Sequence, residues 1–158
     1  MPKSTEEGKA RYISTRLASA LTRAPSTSLA GYDGSFSAGL LEAATQVALE
    51  ELPALLAVYD IPPPPPLLAE RPIQDPFAVT LVLTAEPGDT SLACLTFYPG
   101  VESTDESQME EVALDVVRLG NPAARSLPLL EALAQRESRR LHFSTPSGRM
   151  LGVDLIPC

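Results

Sequence analysis

Few residue types in this chain could do chemistry. It has one histidine, His142, and two cysteines, Cys94 and Cys158. Ser144 follows His142 by two positions, and Asp154 lies twelve further along than the histidine. A serine–histidine–aspartate arrangement needs the imidazole to touch both partners. Residues i and i+2 of one strand share a face but stand ~7 Å apart, too far for a direct hydrogen bond. No G-x-S-x-G elbow surrounds any serine. His142 therefore reads as a sheet-surface residue, and no catalytic residue is assigned. A pocket near His142, with Asp154 as its second polar group and loop 25–36 as a lid, is the enzymatic or ligand-binding alternative.

Other constellations are weaker. Cys94 lies in an apolar run and reads as a small buried hydrophobe. Cys158 is the last residue and reads as an exposed thiol; two cysteines make no disulfide framework. There is no CxxC, no HExxH and no second histidine, so no metal site is expected. Loop 25–36 precedes a helix but lacks the glycine spacing and the lysine of a phosphate-cradling loop, so no cofactor is expected. Segment 99–111 carries Glu102, Asp105, Glu106, Glu110 and Glu111 with no balancing base. It lacks the alternating ligands around a glycine that calcium loops use, and reads as a solvated acidic loop.

The elements that must position these residues follow from periodicity. Residues 5–23 read as a helix with a narrow stripe of Ala10, Ile13, Leu17, Ala20 and Leu21. Residues 37–59 read as the strongest helix, with Ser37 as its cap and a kink or split at Pro53. The stretch 61–76 holds seven of the chain's 16 prolines. Pro62 to Pro66 would span ~15 Å as a polyproline-II rod, so the stretch reads as a stiff strap within one domain. After it the period changes to two. Strands 77–84 and 91–98 are expected to form a hairpin, 112–118 a third strand, and 121–140 a helix with Leu127, Leu130, Leu133 and Ala134 inward. Segments 140–144 and 149–156 form a second hairpin around the turn "TPSG". The expected fold class is α+β. Two N-terminal helices precede a mainly antiparallel β-β-β-α-β-β sheet with helices packed on it. The 158 residues form one domain: a helical part over 1–60, the strap, and the sheet with one helix over 77–158.

Charge narrows the partners. The formal net charge is −8, which repels nucleic-acid phosphates and anionic lipid. No run approaches the ~20 apolar residues needed to span a bilayer. Residues 1–24 are locally basic, but Glu6 and Glu7 speak against a transit peptide, and the cytoplasm is the simplest location. With an empty catalytic inventory, the residues alone suggest a small acidic, non-enzymatic accessory protein of chaperone, adaptor or immunity type. It would bind another protein, basic in charge, and form a homodimer. A structural or assembly subunit of a larger particle, such as a phage or secretion machine, is the alternative.

Overall fold

The computed structural model describes residues 11–14, 25–102 and 105–158. Its centre is a six-stranded sheet in which every neighbouring pair is antiparallel. The strands are β1 (Arg11–Ser14), β2 (Ala54–Asp60), β3 (Phe77–Thr84), β4 (Ser91–Val101), β5 (Arg139–Ser144) and β6 (Met150–Pro157). They lie in the order β2-β3-β1-β4-β6-β5. The helices are α1 (Ser35–Glu50), α2 (Leu67–Glu70), α3 (Val112–Gly120) and α4 (Leu127–Gln135). Short 3-10 turns over Tyr32–Gly34 and Ala123–Ser126 lead into α1 and α4. The α+β class with a mainly antiparallel sheet is as expected. Among the described residues no helix is long and apolar enough to cross a membrane.

The two-residue period decides which face is covered. Ile13, Leu81, Leu83, Leu95, Phe97, Leu141, Phe143, Leu151, Val153 and Leu155 are buried on one side. Against them pack Phe36, Leu40, Ala44 and Val47 of α1 and Leu129 and Ala132 of α4. Phe36 meets Phe143 edge to face, with ring centroids 5.2 Å apart. The alternate residues of the same strands form a second face, which no described helix covers. There Leu55, Tyr59 and Ile156 stay exposed.

Several expectations change. Of the helix expected over 5–23, residues 11–14 form strand β1, and the remainder lies outside the described residues. This short strand inserts between β3 and β4, so 77–84 and 91–98 are strands but not hairpin partners. The helix expected over 37–59 ends at Glu50, where Glu51 takes φ 55° and donates its N–H to the Val47 carbonyl at 3.1 Å. Pro53 two residues later cannot continue the helix. Residues 54–60 become edge strand β2, with Leu56 and Val58 inward. Ser37 is not the cap of α1. Its buried hydroxyl is shared between the Gly34 carbonyl at 2.9 Å and the Ser144 carbonyl at 2.5 Å, which ties α1 to β5. Gly34 permits that approach, since a Cβ there would lie 2.7 Å from the Pro146 nitrogen.

Segment 112–120 is a helix, not a strand, so no crossover joins it in parallel to β5. The helix after it forms as α4, but its deepest side chains are Leu129 and Ala132 rather than Leu127 and Ala134, a rotation of the expected stripe. The proline strap is not extended throughout: its Leu67–Glu70 segment coils into the single turn of α2. The second hairpin, β5 with β6, forms as expected.

This packing makes a simple mutational contrast. Leu83→Ala empties a fully buried site on β3 and is expected to cost about 2–5 kcal/mol. Leu49→Ala, at an exposed position of α1, should change stability by less than about 0.5 kcal/mol. Urea unfolding of the two variants measures the difference.

Candidate functional site

The three polar residues singled out by spacing do not form one catalytic unit. His142, Ser144 and Asp154 all project from the uncovered face, as alternation requires. Arg140 lies directly across from Asp154 and holds it with two short bonds, Nε–Oδ1 at 2.5 Å and Nη2–Oδ2 at 2.6 Å. The same guanidinium lies 5.1 Å from the centroid of the Tyr98 ring. Arg140 first, with help from the Tyr98 hydroxyl and the charge of His142, holds the Asp154 carboxyl below its usual range against the opposing effect of burial. Asp154 is thus an anion already engaged by arginine. Cys94 projects from the same face of β4 as Thr96 and Tyr98, and pairs across to Ile156 of β6.

Ser144 turns elsewhere. Its hydroxyl donates to Glu106 Oε1 at 2.9 Å, and its amide donates to the same oxygen at 3.3 Å. The other oxygen of Glu106 accepts from Arg118 Nη1 at 3.0 Å and from Arg125 Nη1 at 2.9 Å. Arg118 also donates from Nε to Asp115 Oδ1 at 2.6 Å, one helical turn away. Only 3% of the Arg118 side chain is exposed, so both carboxylates are needed to compensate its desolvation. Arg125 reaches toward Asp33 at 3.8 Å as well, and its buried Nε has no partner among the described residues. Burial alone would raise the Glu106 pKa. The two bonds from Ser144 and the two guanidinium groups outweigh it, and the carboxyl titrates below its usual range.

This cluster corrects the picture of a solvated acidic loop. The loop around Glu106 is stitched to the outer edge of the sheet. The Ser107 amide donates to the His142 carbonyl, and the His142 amide donates to the Ser107 hydroxyl, each at 2.9 Å. The Met109 amide donates to Asp115 Oδ1 at 3.0 Å. The free edge of β5 is thereby covered. Spacing alone missed Glu106, because its partners lie 12, 19 and 38 positions away. The one local signal was Asp115 three residues before Arg118.

A consequence is that α3 points its charge inward and its aliphatic residues outward. Arg118 is its buried residue, while Val112, Leu114, Val116, Val117 and Leu119 are exposed. Among the described residues no group of three or more His, Cys, Asp or Glu could hold a metal ion. A separate open groove of about 340 Å³ lies between Leu41 of α1, the end of β4 and the β5–β6 turn, away from His142.

Glu106→Gln keeps the shape but removes the charge that two arginines share. It should destabilise the chain by about 2 kcal/mol or more, because it leaves Arg118 under-compensated. Glu106 has a depressed folded pKa. Its contribution is fully present above the ordinary glutamate pKa of ~4.3 and fades as pH falls from there through the depressed value. The Glu106→Gln chain should therefore lose less stability across that acid window, as read by urea unfolding at stepped pH.

The description "Beta-ketoacyl synthase, N-terminal domain" belongs to a family model that matches residues 18–148, from before α1 to within the β5–β6 turn. No curated protein and no solved structure matches the chain. The family match overturns the expectation of a non-enzymatic accessory protein of chaperone, adaptor or immunity type. Net charge and missing local motifs describe the surface and the short-range spacing. They do not register a family pattern spread across most of the fold. The chain belongs to the family of beta-ketoacyl synthase N-terminal domains.

Proposed function

We propose that the chain serves in β-ketoacyl formation, the joining of two acyl groups through a new carbon–carbon bond. The observation that carries this reading is the family match, which spans α1, the strap and four of the six strands, β2 to β5. In such a reaction the α-carbon of one activated acyl group gives up a proton or carbon dioxide, and the electron pair left on it attacks the carbonyl carbon of the other. The bond from that carbonyl to its leaving group breaks, and for a thioester the leaving thiol takes up a proton. The 158 residues would act as one domain, since residues of all six strands and of α1 and α4 share a single buried cluster.

The same reading includes a second copy of the chain as partner. Its support is α3, where five aliphatic residues stand outward on a helix whose charge is turned in. Val112, Val116 and Leu119 follow one stripe at i, i+4 and i+7, the spacing with which one helix packs on another.

Two measurements check this. The full chain incubated with two acyl thioesters should release a β-ketoacyl product identifiable by mass spectrometry, and unchanged thioesters would count against the reading. Light scattering after size exclusion should report twice the chain mass, and Val116→Glu should shift it to the monomer without unfolding, because the position is exposed. A wild-type chain that is monomeric at all concentrations rejects the second copy.

A further inference from the structure

The groove between α1, the end of β4 and the β5–β6 turn has the makings of a ligand site. Its apolar wall is Leu41, Pro99 and Leu151. Its polar lining is Thr145, Ser147 and Arg149. At about 340 Å³ it sits at the small end of the range for ligand pockets. The strand register breaks between Pro99 and Val101, and Pro99 and Gly100 of that break line the groove. Gly100 in that bulge takes φ 76°, a left-handed conformation that suits glycine. A Cβ at Gly100 would lie 3.5 Å from Arg149 Nη1, so the guanidinium rests directly over the bulge.

The two hydroxyls of that lining are engaged within the turn. Thr145 Oγ1 donates to the Arg149 carbonyl at 2.7 Å and meets Ser147 Oγ at 2.8 Å. Arg149 differs from the other arginines of the cluster and of the sheet edge. Arg118, Arg125, Arg139 and Arg140 each meet a carboxylate. Arg149 forms no ion pair with any described residue, in a chain whose net charge is −8. A guanidinium without a carboxylate partner beside an apolar lining complements a monoanion with an aliphatic tail. A guanidinium matches a carboxylate with two parallel bonds, whereas a dianionic phosphate would call for a second cation that the groove lacks among its lining residues.

We infer that this groove binds a small aliphatic carboxylate, its head on Arg149 and its tail along Leu41, Pro99 and Leu151. The inference stands on the groove and is independent of the condensation reading. Octanoate titrated into the isotope-labelled full chain, followed by amide NMR, is the test. Saturable shifts are expected at residues 99–101 and 145–151, with acetate and octanol each binding more weakly because each lacks one half of the recognition. Arg149→Gln, a change at an exposed position, should weaken octanoate about ten-fold or more, as loss of a charge-assisted bond does. Arg140→Gln, on the uncovered face, should leave it unchanged. The inference is overturned by no saturable shift up to about 10 mM, the regime of the weakest specific ligands. It is equally overturned by shifts centred on α3 or on the uncovered sheet face, or by an Arg149→Gln chain that binds octanoate as the wild type does.

Discussion

The pairing of Glu106 with Arg118 and Arg125 is the constraint on which the outer half of the structure depends. A guanidinium cannot be buried without carboxylates to meet it, and Arg118 is almost wholly buried. Glu106 and Asp115 meet it from two directions, one across the loop and one along the helix. Once that arginine is fixed inward, the orientation of α3 is fixed too, and its valines and leucines have to face out. The same carboxylate reaches Ser144 on β5, so loop, helix and sheet edge are held by one group.

The inner half is built chiefly on apolar burial, with Ser37 tying α1 to β5. One face of the sheet carries the aliphatic and aromatic side chains that α1 and α4 cover, and the core is continuous across all six strands. The other face carries a polar row, Tyr98, Asp154, Arg140 and His142, with Cys94 further along β4 and exposed Leu55, Tyr59 and Ile156 around it. A covered face and an uncovered one leave the molecule with apolar side chains exposed in two places, the second sheet face and α3.

Legibility in the sequence followed the range of the interactions. The β5–β6 hairpin was legible because a compact turn joins two segments of clear alternation. That His142 and Asp154 share a face was legible for the same reason. Strand β1 was not, because four residues give too short a pattern and its partners, β3 and β4, lie some 70 to 80 positions away. Segment 112–120 alternates well enough to pass for a strand, and what makes it helical and orients it is the meeting of Arg118 with Asp115 and a distant Glu106. The end of α1 turned on Pro53, where the pattern suggests a kink or a split; the proline falls just past a left-handed C-terminal residue, Glu51. The family, finally, was not read from any short motif; its match extends over residues 18–148.

The claim that one ionic cluster holds loop, helix and sheet edge together is tested most directly by amide hydrogen exchange on the Glu106→Gln chain. The account predicts faster exchange together in residues 105–109, in α3 and along the β5 edge, with β3 and β4 protected as in the wild type. Unchanged protection of α3 and the 105–109 loop would contradict it, because the helix would then owe its position to something other than the buried arginine and its carboxylates.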